Sequence, residues 1–133
     1  VVTNQSGIAR GYYKESDVVK VHTYMDNIFR KQNIEISGWY YCPHHPEGVI
    51  ERYRKTCKCR KPEPGMLLTA TKDWNIDLES SYMIGDKSSD IMAGLAAGVK
   101  TIQILAKYPS SEKAHFTASS LLESLKFIPL NNN

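Results

Sequence analysis

The 133-residue sequence contains no apolar run that approaches the roughly 18 residues of a membrane-spanning helix, and it contains no internal repeat. It also lacks a strong charge of either sign, because 17 lysines and arginines stand against 14 aspartates and glutamates, a formal net charge of +3. A charge this small does not by itself indicate nucleic acid or a membrane as a partner. The sequence therefore predicts a single globular domain over residues 1–133 that has neither kind of partner.

Cysteine is scarce too, with only Cys42, Cys57 and Cys59. Three is an odd number, and two cysteines separated by a single residue rarely pair with each other. The spacing therefore argues against a secreted disulfide framework. A reducing compartment fits better, and we expect a cytoplasmic protein.

Short apolar stretches alternate with helical patterns along the chain. This alternation predicts an α/β fold with a parallel sheet. The expected strands end near Thr3, span Trp39 to Tyr41, and cover 81–84 and 101–105. The first expected helix begins at a capping Ser16 and has an apolar face of Val18, Val21, Met25, Ile28 and Phe29. The second begins near Pro64, with a buried face of Met66, Leu67, Ala70 and Trp74. The third runs from Ser88 to Ala97, and the last is expected around Leu121, Leu122, Leu125 and Phe127.

The loop over residues 42–59 holds all three cysteines and two of the four histidines. Cys42 and His44 form one close pair of ligands, and Cys57 and Cys59 form another. Three cysteines and one histidine are a common ligand set for structural zinc, and four protein ligands leave no open position for water. The alternatives left open are three buried free thiols, and His45 rather than His44 as the fourth ligand.

Groups that suit phosphate and Mg²⁺ lie next to this loop and at two expected strand ends. At the first strand end, residues 3–7 (Thr-Asn-Gln-Ser-Gly) offer hydroxyl, amide and backbone N–H donors for an oxyanion. Arg60 and Lys61 follow the last cysteine and provide a bidentate fork and a point charge for a phosphate. Gly85 and Asp86 end an expected strand, and Asp90 follows four residues later, which suits Mg²⁺ because this ion uses few protein carboxylates. The alternatives are that Asp86 or Ser88 only caps the next helix, and that Arg60 and Lys61 are a solvated basic pair beside the metal loop.

The motifs that carry these groups occur in a familiar order, and the chain resembles the haloacid dehalogenase (HAD) superfamily of phosphatases. The resemblance is strongest to the branch of this superfamily that has a zinc-binding loop. This branch includes phosphatases of heptose bisphosphate and of histidinol phosphate. It implies a Rossmann-like, three-layer parallel sheet with a zinc-bound loop. The matching segments are VVTNQSGIARGYY (1–13), YYCPHHPEG (40–48), CKCRKPEPGML (57–67) and MIGDKSSDIMAGLAAGV (83–99).

The resemblance also assigns roles to single residues. It implies structural zinc on Cys42, His44, Cys57 and Cys59, and it favours His44 over His45. It implies catalytic Mg²⁺ on Asp86, with Lys87 beside the substrate and Asp90 as a supporting acid. The residues implied to bind or orient the phosphorylated substrate are Thr3, Asn4, Gln5, Ser6, Arg60 and Lys61. Thr3, Arg60 and Lys61 are implied to take part in catalysis as well.

One motif of the family is missing from these residues. Members attack phosphorus with the first aspartate of an Asp-x-Asp pair on the central strand of the sheet, and this sequence contains no such pair. We expect a chain truncated before Thr3, which lacks that first, central strand and is inactive by itself.

For the intact protein, the resemblance implies a monomeric, Mg²⁺-dependent phosphatase that acts on a sugar phosphate, heptose bisphosphate. The alternatives left open are a histidinol-phosphate phosphatase and a non-catalytic, zinc-holding relative that only binds phosphate.

Overall fold

The computed structural model of the chain describes residues 1–105 and 113–129. It divides into two compact units, Val1–Arg60 and Lys61–Asn133. The single domain expected over residues 1–133 stays a prediction. Within the described ranges, no helix is long and apolar enough to cross a membrane.

The first unit contains a two-stranded parallel sheet and two α-helices. Its strands pair in the register Val2 with Tyr40 and Asn4 with Cys42. The core is small, and it consists of Ile8, Ala9, Val18 and Tyr53 with Tyr41 packed against it. The elements are β1 (Val2–Asn4), α1 (Ser6–Ala9), α2 (Glu15–Lys31), β2 (Tyr40–Cys42) and a 3₁₀ helix (Glu51–Tyr53).

The N-cap of the long helix α2 lies two residues before the one that the sequence suggests. Its N-cap is Lys14, whose backbone N–H donates to the Asp17 carboxylate at 2.9 Å, so the predicted cap at Ser16 is wrong. A carboxylate three residues into a helix satisfies a free N–H and interacts well with the helix dipole, which makes a capping Ser16 unnecessary. Of the predicted apolar face only Val18 is buried, whereas Val21 is 55% exposed.

The second unit contains a three-stranded parallel sheet in the order β3-β4-β5, with helices in the connections. The predicted strands at 81–84 and 101–105 are confirmed within one residue at each end, and the helix from Ser88 to Ala97 is confirmed at both ends. The elements are α3 (Gly65–Trp74), β3 (Tyr82–Gly85), α4 (Ser88–Ala97), β4 (Lys100–Ile104), β5 (Phe116–Ala118), α5 (Leu121–Ser124) and a 3₁₀ helix (Leu125–Phe127).

A glycine lets α4 lie directly on this sheet. A Cβ at Gly94 would come within 2.6 Å of the Thr101 side chain and 2.8 Å of Met83, so only glycine allows this contact without a shift. Ile91 and Ile102 are fully buried beside it. The predicted buried face of α3 is wrong at Trp74, which is 54% exposed at the helix end, and the apolar side chains of α5 are also largely exposed.

Candidate metal centre and phosphate site

The four predicted zinc ligands converge in the first unit. Cys42 ends β2 and is fully buried, His44 lies two residues further on, and Cys57 and Cys59 follow the 3₁₀ helix. The Sγ–Sγ distances are 3.1 Å (Cys42 to Cys59), 3.2 Å (Cys57 to Cys59) and 3.4 Å (Cys42 to Cys57). The Nδ1 atom of His44 lies 3.5 Å from the sulfur of Cys59 and 3.7 Å from that of Cys42.

This donor set fits a tetrahedral zinc ion. All four ligand atoms lie within 4.8 Å of one another, and the three cysteines are free thiols. Zinc–sulfur bonds of about 2.3 Å place neighbouring sulfurs about 3.7 Å apart, close to the observed spacing and far from a disulfide bond. Burial raises the pKa of the Cys42 thiol far above its usual range and also raises the pKa of Cys59. A bound divalent cation would stabilise the thiolates that burial disfavours.

The neighbouring His45 lies outside this cluster. Its Nδ1 atom is 3.1 Å from the backbone nitrogen of Glu47, and its Nε2 atom is 3.2 Å from Nη2 of Arg10. Both ring nitrogens therefore face donors of the protein. Of the two histidines left open by the residue pattern, His44 is the one whose ring points at the three sulfurs.

A half-buried carboxylate network connects the zinc loop to helix α2. Glu15, in the first turn of α2, accepts a hydrogen bond from the Tyr41 hydroxyl at 2.6 Å and another from the Tyr53 hydroxyl. These two hydrogen bonds lower the pKa of Glu15, and the first raises the pKa of Tyr41 to about 12. Tyr41 precedes the ligand Cys42, so the network fixes the end of β2. The sequence analysis missed Glu15, because nothing in the local pattern connects it to two distant tyrosines.

The phosphate turn, which is the segment from Thr3 to Ser6 that is predicted to bind phosphate, lies at the carboxyl end of β1. The backbone N–H of Gln5 donates to the carbonyl of Cys42 at 2.8 Å, which fixes the turn against the strand that carries the metal ligand. The Gln5 side chain donates from Nε2 to Thr3 Oγ1 at 3.1 Å and accepts from the Tyr13 hydroxyl at 2.7 Å. Tyr13 is thus a second residue that the sequence analysis missed. The sequence feature that is linked to Tyr13 is Gly7, because a Cβ at this position would lie 2.2 Å from the tyrosine ring.

Arg60 belongs to the same unit. Its Nη1 donates to the backbone carbonyl of His44 at 3.4 Å, so the guanidinium lies against the metal loop.

The second unit holds the remaining predicted site residues. Asp86 follows β3 and is exposed, and Lys87 is the N-cap of α4 and is exposed as well. Asp90 is buried and forms an ion pair with Lys61, whose Nζ lies 2.6 Å from Oδ1. The other carboxylate oxygen accepts from the Lys87 backbone N–H at 3.1 Å. A Cβ at Gly85 would lie 2.4 Å from this carboxylate, so glycine is required beneath it.

Comparison with known proteins identifies the class of this fold and site. The HAD-hydrolase-like family model matches residues 58–125, and the chain belongs to this family. The predicted superfamily, the α/β fold and the class of enzyme, a phosphoric monoester hydrolase, are confirmed at the level of the family.

Individual relatives are similar to this chain over most of its length. The chain is 44% identical over 130 residues to D-glycero-beta-D-manno-heptose-1,7-bisphosphate 7-phosphatase of Escherichia coli K12, covering 97% of this chain and 68% of the relative. It is 45% identical over 130 residues to the protein of the same name in Vibrio cholerae, covering 97% and 70%. The crystal structure of the D,D-heptose 1,7-bisphosphate phosphatase from B. bronchiseptica, complexed with magnesium and phosphate, superimposes with a TM-score of 0.78 at 24% identity. That match covers 95% of this chain and 70% of the other.

Proposed function

We propose that this chain belongs to a Mg²⁺-dependent phosphatase that removes the 7-phosphate of D-glycero-D-manno-heptose 1,7-bisphosphate. The observation that carries the proposal is the four-ligand cluster that ends at Cys59, directly before Arg60 and Lys61. The relatives from Escherichia coli and Vibrio cholerae, at 44% and 45% identity over nearly the whole chain, support this substrate. The product would serve the synthesis of heptose precursors of lipopolysaccharide, in a monomeric cytoplasmic enzyme.

In this proposal the cluster of Cys42, His44, Cys57 and Cys59 has a structural role. Bound zinc would order a loop that has few apolar contacts of its own, and the free energy of folding of this segment would then depend on the metal. The ligand set leaves no position for a reacting water molecule. The loop would thereby fix the direction of Arg60, whose guanidinium already lies on the carbonyl of His44.

The phosphoryl group would be held by donors at the strand ends. Thr3 offers its hydroxyl, Asn4 and Gln5 offer amides, and Ser6 offers a hydroxyl at the start of α1, which suits an oxygen that gains negative charge during phosphoryl transfer. Lys61 would neutralise phosphoryl charge. Its position is set by the ion pair with Asp90.

Asp86 is the residue that we propose as the Mg²⁺ ligand, with Lys87 beside the substrate. Mg²⁺ uses one or two carboxylates together with water and phosphate oxygens. A single exposed carboxylate at a strand end is therefore enough to supply the protein's ligand to the ion. The bound ion would supply charge neutralisation between the phosphate and the protein. Asp90 is engaged by Lys61 and by the Lys87 backbone, so it supports the site and is not proposed as a ligand.

The proposed reaction passes through an aspartyl-phosphate, and the 133 residues contain no Asp-x-Asp pair. The test therefore compares two proteins, the chain as printed and the same chain joined to a segment that carries the Asp-x-Asp pair of the superfamily. We expect Mg²⁺-dependent phosphate release from heptose 1,7-bisphosphate by the joined protein only. Changing the first aspartate of the added segment to asparagine should abolish it.

Two results would contradict the proposal. Turnover by the printed chain at the rate of the joined protein would rule out the aspartyl mechanism. A folded, zinc-loaded joined protein that prefers histidinol phosphate would assign the other phosphatase of this branch, and one that binds phosphate but hydrolyses neither ester would favour a binding protein.

A further inference from the structure

The carboxylate of Glu15 is held by two neutral hydroxyl groups. It is half-buried in the first turn of α2, and among the described residues no lysine or arginine forms a salt bridge with it. Each of its oxygens accepts a hydrogen bond from one phenol hydroxyl, of Tyr41 at 2.6 Å and of Tyr53. The amino end of a helix favours negative charge, which accounts for a carboxylate without a paired cation at this position. Glu15 thus holds together two tyrosines that are distant along the chain.

Tyr41 connects this carboxylate to the first pair of metal ligands. It lies in the middle of β2, in register with Thr3, and Cys42 follows it directly. The carbonyl of Cys42 accepts from the backbone N–H of Gln5 at 2.8 Å, so the main chain is fixed on this side of the thiol. Because Glu15 fixes the hydroxyl of Tyr41 as well, the strand is anchored by both its backbone and a side chain next to the buried thiol.

Tyr53 connects the same carboxylate to the rest of the ligand loop. It is only 7% exposed, and its ring centroid lies 6.3 Å from that of the ligand His44. Its carbonyl accepts from the backbone N–H of His45 at 3.1 Å and from that of Lys55 at 3.0 Å. Tyr53 is also the last residue of the 3₁₀ helix that leads to Cys57. Fixing this tyrosine therefore fixes the main chain around ligands of both pairs.

We propose that Glu15 is a positioning residue of the metal centre, which raises the zinc affinity by holding Tyr41 and Tyr53 in place. Its hydrogen bonds go to the tyrosines, so it acts on the ligands through them. A loop that is already fixed loses less conformational entropy when the metal binds, and the affinity rises accordingly. Residues that orient metal ligands from outside typically contribute about 10- to 100-fold in affinity.

The coupling must act in both directions, because linkage between two equilibria is reciprocal. If Glu15 strengthens zinc binding, bound zinc strengthens the first turn of α2, which the backbone N–H of Val18 closes on the Lys14 carbonyl at 3.4 Å. The metal would thus order a helix that supplies none of the four ligands. This inference rests on the proposed function for the identity of the metal, and it is independent of the substrate.

The first test is the zinc affinity of the 133-residue chain, measured by competition with a chromophoric chelator. We expect Glu15→Gln to weaken binding about 10- to 100-fold. Tyr53→Phe keeps the ring beside His44 and removes only the hydroxyl, and it should weaken binding about tenfold. Glu51→Gln makes the same change of charge at an exposed residue of the ligand loop and should leave the affinity unchanged. Equal affinities for the wild type, Glu15→Gln and Tyr53→Phe would overturn the proposal.

Two spectroscopic readouts separate positioning from a general loss of stability. With cobalt(II) in place of zinc at full occupancy, the absorption bands of the thiolate-bound ion should shift in Glu15→Gln and stay unchanged in Glu51→Gln. In the ¹⁵N-labelled chain, zinc should slow the amide hydrogen exchange of Val18 in the wild type but not in Glu15→Gln. Cobalt bands of Glu15→Gln identical to those of the wild type, or equal protection of Val18 in both proteins, would overturn the proposal.

The route through the hydroxyls is tested in the double variant of Tyr41→Phe with Tyr53→Phe. Adding Glu15→Gln to it should cost no further zinc affinity, whereas an undiminished loss would overturn the proposal. Circular dichroism reports whether each variant folds, and Tyr53→Phe still tests the proposal if Glu15→Gln does not fold. If the wild type takes up no zinc, this inference fails together with the metal assignment. If the variants behave as expected but the joined protein hydrolyses no heptose phosphate, the proposed substrate fails and the role of Glu15 stands.

Discussion

The ion pair between Lys61 and Asp90 allows a sharp test of the second unit. Its side chains are only 10% and 8% exposed, and Nζ and Oδ1 are 2.6 Å apart. Asp90→Asn removes the charge but leaves an amide oxygen that can still accept from the Lys87 backbone N–H. The substitution therefore isolates the loss of the counter-charge, because Lys61 stays buried while the negative charge of Asp90 is removed.

The expected cost follows from the burial of the pair. Removing one partner of a buried ion pair costs about 3 to 5 kcal/mol, since the remaining charge is desolvated and has lost this counter-charge. A domain of this size has a total stability of about 5 to 15 kcal/mol, so the variant should lose a large part of it. The midpoint of thermal unfolding should fall by roughly 10 to 20 °C.

Urea unfolding, followed by circular dichroism, measures this loss. Glu63→Gln makes the same change of charge at an exposed residue of the same unit and should alter stability by less than about 0.5 kcal/mol. The double variant Lys61→Met with Asp90→Leu removes both charges and should recover most of the loss. If Asp90→Asn is as stable as Glu63→Gln, the pair is solvated in solution and the reasoning is wrong.

Three further changes probe the first unit. Cys59→Ser should abolish stoichiometric zinc binding and destabilise the loop, measured by metal analysis and urea unfolding, whereas Lys58→Ala between the same ligands should retain zinc. Tyr13→Phe removes one hydrogen bond to the turn amide and should weaken phosphate binding about fivefold in calorimetry, whereas Tyr12→Phe, at an exposed ring, should change nothing. The two tyrosine hydroxyls lower the pKa of Glu15 below its ordinary 4.5, so the stability that they contribute is present above pH 4.5 and is lost as pH falls through the lower folded value. The wild type should therefore exceed Glu15→Gln in stability at pH 7, and a difference that stays constant down to the pH of acid unfolding would contradict this.

Local chemistry made the ligand cluster and helix α4 predictable from the sequence. Two close pairs of soft ligands in a charged loop have few other uses, and their convergence needs only one loop closure. Both ends of helix α4 are marked by residues in the sequence. Asp90 lies three residues after the N-cap Lys87, and Gly98, with φ 82°, follows the last residue of the helix. Signals of this kind lie within a few residues of the position that they determine.

The features that the sequence did not reveal depend on residues far apart along the chain. Glu15 meets Tyr41 and Tyr53 across separations of 26 and 38 residues, and no local pattern predicts such a meeting. Strand β5 spans only Phe116–Ala118 and has no alternation that would distinguish it from a loop. Exposure of the α2 face was missed for a related reason, because amphipathic spacing predicts a face but cannot say whether that face is covered in the described unit.

The two carboxylates after β3 differ sharply in their surroundings. Asp86 and Asp90 are four residues apart, and either suits a metal by residue type. Only Asp90 lies over Gly85, where the missing side chain lets its carboxylate approach the strand end, meet Lys61 and cap α4. Its oxygens are therefore already engaged. Asp86 is exposed at the strand end, so of these two carboxylates it is the one that a cation from solvent could reach, as the proposed Mg²⁺ site requires.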